Sequence, residues 1–216
     1  MPEELPDDFA RVGSSLVIMA KAVREAMRQA TAALLASDPA LAQGVIVRDT
    51  EVDVLYRVVE DRVYALVARR HPAGDDLRTV MTALQVAADL DRMGELAVHV
   101  ARAALRRHPE PAAAPELAAL FRSMAAVADE LAGKIESALA DQDQVLAAEL
   151  DADDDAMDEL HRELFAVMLS HEWPVGVEAA IDGALLGRYY ERYADHAVNI
   201  GRHVLVLPAA DPTAAA

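Results

Sequence analysis

Cysteine is absent from this 216-residue chain, which excludes disulfides, thiolate metal sites, iron–sulfur clusters and cysteine nucleophiles. No apolar run approaches the ~20 residues that span a bilayer, and the opening MPEELPDDF lacks the basic and apolar regions of a signal peptide. Basic residues are scarce, 20 Lys and Arg against 37 Asp and Glu for a formal charge of -17, so the phosphates of nucleic acid would repel this surface. Gly-x-Gly, Gly-Lys-Ser/Thr and Gly-x-Ser-x-Gly are all missing, and with them the common nucleotide-cradling loops and one hydrolase nucleophile. None of the 7 histidines follows a glutamate by three residues, as a ferritin-like di-iron bundle requires. His171-Glu172 is not followed by the second histidine of a zinc-protease helix. The expectation is a cytoplasmic protein that is not an enzyme.

Alanine, about a fifth of the residues, dominates what is present, with Leu, Glu and Arg; all four lose little rotamer freedom on a helix. Apolar residues recur at three- and four-residue intervals in Phe9, Val12, Leu16, Met19, Val23, Met27, Ala30 and Leu34. The same rhythm runs through Val52, Leu55, Val59, Val63 and Leu66, and through Leu77, Met81, Leu84 and Ala88. Ser37-Asp38-Pro39, the turn His71 to Asp75, the proline-rich HPEPAAAP from His108 to Pro115, and Trp173-Pro174 divide the pattern. The chain therefore reads as all-α, with three helices, a proline linker and three more helices, the later ones ending near 140, 171 and 207.

The halves repeat. Between 91–105 and 191–205, Arg92/Arg192, Ala97/Ala197, Val98/Val198, Arg102/Arg202 and Leu105/Leu205 are identical, and Asp91/Glu191 and Glu95/Asp195 are similar in kind. The preceding helices match at an offset of 105: Asp49/Asp154, Asp53/Asp158, Leu55/Leu160 and Arg57/Arg162. Two tandem three-helix bundles related by duplication follow, residues 1–109 and 110–208, with a disordered tail at 209–216. Residues 1–108 carry 16 acids and 14 bases, whereas 109–216 carry 21 and 6; the halves are expected to face different partners.

Four acid-x-x-x-acid pairs respect the repeat: Asp49 with Asp53, Asp91 with Glu95, Asp154 with Asp158, and Glu191 with Asp195. Spacing of four stacks each pair on one helix face, and helical geometry places Asp91 and Glu95 at the edge of the stripe from Leu77 to Ala88. On neighbouring antiparallel helices, two pairs converge into a patch of four carboxylates, suited to a hard cation such as Mg²⁺, Mn²⁺ or Fe. Arg57, Arg92, Arg162 and Arg192 recur beside the acids, and an arginine–carboxylate network without metal is the alternative; recurrence of all four pairs favours a metal. His99 and His196 lie beside these acids, each an additional ligand or, the favoured reading, a solvated or supporting side chain. Trp173 reads as a packing anchor, and Arg78 as the partner of Asp75 or of an acidic contact.

The segment HPAGDDLRTVMTALQVAADLDRMGELA, residues 71–97, closely resembles the P-x-x-x-D-L-R … L-E-R-I-G-D-x-A stretch of the PhoU family, and ERYADHAVNI, residues 191–200, its second copy. The resemblance covers nearly the whole chain. It implies paired three-helix bundles whose acidic motifs hold metal clusters of divalent or trivalent ions (Mg, Mn, Fe or Zn). It also implies a negative regulator of phosphate uptake and of the phosphate-starvation response. The expected partners are the ATPase subunit of a phosphate ABC transporter, a phosphate sensor histidine kinase and a second copy of the chain, with membranes met only through partners. Asp91 and Glu95 stand in the reverse of the family's order, which bears on the nuclearity and affinity of the first site. Arg78, Arg92 and Arg192 are candidates for supporting the acids or contacting a partner. The alternative function is a metal-binding helical scaffold, or a PhoU-like regulator of another phosphate carrier.

Overall fold

Aspartate, proline and glycine set the helix ends. The computed structural model describes residues 4–141 and 143–205; the segment 209–216, expected to be disordered, lies outside the described residues. The helices are α1 (Glu4–Ala36), α2 (Pro39–Arg70), α3 (Asp75–Arg107), α4 (Ala118–Asp141), α5 (Gln144–Met168) and α6 (Val177–Leu205), with a 3-10 turn at Pro115–Leu117 before α4. Asp38 caps α2 by accepting from the Ala40 and Leu41 amides at 2.9 and 3.1 Å. Its repeat counterpart Asp143 caps α5 through Val145 and Leu146 at 2.8 and 3.1 Å, satisfying donors that a helix start leaves open. Before α6, Gly176 holds a left-handed φ of 92°, and its carbonyl accepts from the Trp173 indole at 2.8 Å. Trp173 is thereby tied down and packs half-buried against the core, the anchoring role its sequence position suggested.

Each half packs its three helices against one another, and then α1 lies along α4 and α3 along α6. Buried side chains of both halves join in one core, which also takes in Ala112, Ala113 and Ala114 of the linker. The α1 stripe is buried from Val12 to Leu34 as its periodicity predicted, with Phe9 half-buried against it. Burial over 81–100 recurs at 181–200 at all but two positions, Arg92/Arg192 and His99/Asn199, so the duplication extends to packing.

In α3 the expected stripe is wrong by a rotation. Leu77 and Met81 are 40% and 51% exposed, and Leu84 is only half-buried. The buried face is Val80, Ala83, Val86, Ala87, Leu90, Met93, Gly94 and Ala97. Ala88, the last member of the expected stripe, is exposed as well, while Leu90 and Met93 are fully buried; both faces are apolar, and the one that turns inward is the one that α1, α2 and α6 pack against.

The halves are also clamped electrostatically. Arg24 holds Asp129 bidentately, Nε and Nη2 each 2.8 Å from a carboxylate oxygen, and Lys21 lies 3.6 Å from Glu136. At the far end, Arg107 reaches Asp182 at 2.5 Å and Glu178 at 2.8 Å. In each of these bridges the cation belongs to the first half and the acid to the second. Part of the charge asymmetry read as a sign of different partners is therefore spent between the halves. The pairings also fix direction: the end of α3 meets the start of α6, so these helices run antiparallel.

Tight seams are built from glycine. A Cβ added at Gly201 would stand 2.7 Å from Leu150 Cδ1 and 2.8 Å from the Ala147 carbonyl oxygen of α5. At Gly183 it would meet Met168 at 2.7 Å and Leu117 at 2.8 Å. Gly44 in α2 has open space instead. We expect Gly201→Ala to lower unfolding free energy by about 1–3 kcal/mol, because a backbone carbonyl cannot step aside. Gly44→Ala should raise it by up to ~1 kcal/mol through helix propensity. Urea denaturation of the two variants checks both signs.

Candidate metal centre

Gly94 lies between Asp91 and Glu95 on α3, and a Cβ there would press on Val52 Cγ1 at 3.2 Å. Its absence lets α2 come in beside the motif, which places Asp49 and Asp53, on either side of Val52, opposite Asp91 and Glu95. In the second half the counterpart of Gly94 is Ala194, and the close approach of α5 to α6 runs instead through Gly187, one turn before Glu191; a Cβ added at Gly187 would collide with Leu164. The four acids expected in each half thus lie within electrostatic reach of one another along the seam between two helices.

Their electrostatics record the crowding. The Asp49 carboxyl is raised above its ordinary range, first by burial and then by Asp53 and Glu95, with Arg102 and His99 partly opposing. Asp91 is raised by burial, then by Glu95 and Asp53. Asp154 is pushed up to about 6 by burial, then by Asp158, Asp195 and Glu191. Carboxylates that repel one another in a half-buried seam favour a proton or a multivalent cation.

Arginines answer only part of this charge. Arg92 pairs with Glu95 at 2.5 Å, Arg192 with Asp195 at 2.9 Å, and Arg188, which the sequence reading passed over, with Glu191. Asp49, Asp53, Asp91, Asp154 and Asp158 have no ion-pair partner among the described residues. Arg57 and Arg162 do not join them. As the side chains stand, no group of three or more His, Asp or Glu is arranged around a metal position among the described residues. The donor set still fits a hard cation in its chemistry: all-oxygen, negatively charged and under-compensated. The arginine pairs are exposed one-turn pairs of the kind worth about 0.3–0.5 kcal/mol, a small opposing cost.

The same turns of α3 and α6 cross each other. His196 Nδ1 lies 2.8 Å from Asp89 Oδ1, with His203 Nε2 at 3.5 Å from its other oxygen, and His99 stacks on Tyr189 with ring centroids 5.1 Å apart. His99 and His196 thus join the halves, and His99 also opposes part of the rise at Asp49. Asp89 was missed because its repeat counterpart is Tyr189, and a search for repeated acids skips it. Its position two residues before Asp91, next to a second-half histidine, shows only in three dimensions. Arg78 is exposed, 3.9 Å from Asp75, one turn from neither acid group.

The PhoU domain family matches residues 16–104 and 121–204. A Mycobacterium tuberculosis protein described as "Phosphate-specific transport system accessory protein PhoU homolog 2" is 44% identical over 180 residues, 83% of this chain and 84% of its own. The Mycobacterium leprae "PhoU homolog 1" is 43% identical over 83% of this chain and 81% of its own. The crystal structure of PhoU from Pseudomonas aeruginosa superposes with a TM-score of 0.84 at 28% identity, covering 93% of this chain and 96% of that one. PhoU from Streptococcus pneumoniae, at 21% identity and a TM-score of 0.79 over 96% and 99% of the two chains, shares the fold.

Folding raises the Asp154 pKa from its ordinary 3.8 to about 6. Between those values the folded chain holds more protons than the unfolded one, so stability falls as pH rises through the window. Asp129 is shifted the other way by Arg24, and its contribution is lost only below the ordinary carboxylate range. With chelator present, Tm should drop between pH 5 and pH 7. Asp154→Asn should flatten that slope and raise Tm at pH 7; a scanning-fluorimetry slope identical to the parent's removes the assignment.

Proposed function

The chain belongs to the PhoU family, and from that premise we propose that it is an accessory protein of phosphate transport. In this reading it restrains phosphate uptake and the starvation response when phosphate is plentiful, by coupling the ATPase subunit of a phosphate ABC transporter to a sensor histidine kinase. The observation that carries the reading is the 44% identity, spanning most of both chains, to a protein described as a phosphate-specific transport system accessory protein. It acts by docking and carries out no reaction. No helix among the described residues is long and apolar enough to cross a membrane, so contact with the bilayer runs through partners.

Two cation sites belong to the proposal. Asp49, Asp53, Asp91 and Glu95 hold one, and Asp154, Asp158, Glu191 and Asp195 the other. A bound divalent or trivalent ion supplies fixed positive charge, which neutralises the seam and can accept a phosphate or carboxylate oxygen of a partner. The chain's own contribution is the rigid α2–α3 and α5–α6 spacing. Arg92, Arg188 and Arg192 hold three of the donors near the seams until an ion competes for them. Asp91 and Glu95 stand in reverse order to Glu191 and Asp195, so the two sites are expected to differ in affinity.

Cells that lack this protein and grow in abundant phosphate are expected to show high alkaline phosphatase activity, returned to baseline by the intact gene. Unchanged activity would favour a metal-binding scaffold, or a regulator of another phosphate carrier. Glu191→Ala with Asp195→Ala should remove about half of the Mn²⁺ bound by the purified protein, since two all-oxygen sites contribute. Metal content equal to the parent's, by plasma mass spectrometry after dialysis, would show that these residues are not ligands.

A further inference from the structure

His161 of α5 carries a nitrogen with nothing to bond. Its Nε2 is shut off from solvent and has no hydrogen-bond partner among the described residues. Water satisfies such an atom in the unfolded chain, so burying it bare is a cost that calls for a reason. The ring is held in place on two sides. Phe165 meets it edge-on, with centroids 5.1 Å and planes 71° apart. A Cβ added at Gly187 would stand 3.2 Å from the ring's Cδ2 and 3.6 Å from Nε2, so the imidazole lies over the bare glycine of α6.

Both positions are on the acid side of their helices. At 100° per residue, His161 stands about 20° from Asp154 and about 60° from Asp158 around α5. On α6, Gly187 precedes Glu191 by one turn. The two helices run antiparallel, since Gly201 meets Leu150, Gly187 meets Leu164 and Gly183 meets Met168. Side chains on a helix lean toward its own N-terminus, so His161 and Glu191 lean toward each other's turn. Glu191 does reach back over that turn, to Arg188, and its side chain is only 16% exposed.

The first half differs at both places, with Tyr56 as the counterpart of His161 and Ala87 as that of Gly187. The Tyr56 hydroxyl is raised above its ordinary value, first by burial and then by Glu60 and Asp91. Asp91 is the counterpart of Glu191, so a side chain at this place in the repeat comes within reach of the acidic motif. In the first half it brings a phenol oxygen, and in the second a basic nitrogen.

We propose that His161 Nε2 is a ligand of the second cation site, beside Asp158 and Glu191, and makes that site select a transition ion such as Zn²⁺ or Fe²⁺ over Mg²⁺. Imidazole suits Zn²⁺ and Fe²⁺, whereas Mg²⁺ is held by oxygen donors and keeps its waters. The first site, with no nitrogen at this place, stays a site for hard ions, and the two halves hold different metals. The inference rests on the reading of the carboxylate groups as cation sites.

The test titrates the full chain, labelled with ¹⁵N-histidine, with Zn²⁺. One imidazole Nε2 resonance is expected to shift and to saturate, and that resonance is absent from His161→Gln. By calorimetry, His161→Gln should weaken one Zn²⁺ site by about 10–100-fold, a loss that even a hydrogen-bond partner of a ligand commands, and leave Mg²⁺ binding unchanged. His171→Gln, at an exposed turn, should change neither. Circular dichroism checks the fold, and the spectrum of the unsubstituted protein reads the nitrogen without any variant. Zn²⁺ binding that moves none of the 7 histidines, or only one that persists in His161→Gln, overturns the assignment and leaves the carboxylate sites standing. Equal weakening of Mg²⁺ and Zn²⁺ would make His161 a packing residue and overturns it too. A protein that binds neither Zn²⁺ nor Mn²⁺ overturns the cation sites and this inference together.

Discussion

Close approach of helix backbones is the constraint on which the rest of this structure depends. The inward faces of α3 and α6 set alanine and glycine between large side chains such as Leu90, Met93, Tyr190 and Tyr193, with Gly94, Gly183, Gly187 and Gly201 where a neighbouring helix comes close. The glycines let the backbones close in, and the large side chains between them fill the core at crystal-like density. The consequence reaches the surface directly. Once α2 and α5 are drawn in against α3 and α6, the acids on adjoining turns have nowhere to separate, and their carboxyl groups are raised by burial and by one another. The electrostatic tension of the candidate sites is a product of packing.

Against that tension stands a division of labour among the arginines. Those on the first half's inner faces, Arg24, Arg106 and Arg107, serve the joint between halves by pairing with Asp129, Asp182 and Glu178. Those next to the motifs, Arg92, Arg188 and Arg192, stay on their own helices and take one acid each. Neither set reaches Asp49, Asp53, Asp154 or Asp158. The uncompensated charge is therefore concentrated on α2 and α5, the outermost helices, where a cation has open access.

What the sequence disclosed follows from which residues are large or rare. In α1, bulky Met19, Met27 and Leu34 stand out from their neighbours, and that stripe is buried as read. In α3 both faces are apolar, and the choice between them turned on where α1, α2 and α6 pack, which a hydropathy pattern does not carry; hence the outward position of Leu77 and Met81. The carboxylate sets were legible because each is made within one half and repeated in the other. Asp89, Arg188 and Asp182 were not, since the first and last act across halves and Arg188 has only Ala88 as its counterpart. Periodicity reports a helix's neighbours, and repeats report what both copies share. Contacts that exist because the copies differ escape both.

The Arg24–Asp129 pair carries one more implication, about ancestry. In the repeat these two residues are each other's equivalents, 105 positions apart, in line with the starts of the two matched family segments at 16 and 121. They meet because α1 and α4 cross antiparallel at a point of near two-fold symmetry. A homodimer of single three-helix units would bring that position against itself, and any charge there would face its own image and repel. Fusion into one chain lifts the restriction, since the copies no longer have to be identical. An attractive, bidentate ion pair on the symmetry axis is available to a duplicated gene and closed to its undivided precursor. Such a pair also makes the duplication hard to reverse, because neither half could again assemble with a copy of itself without placing like charges face to face.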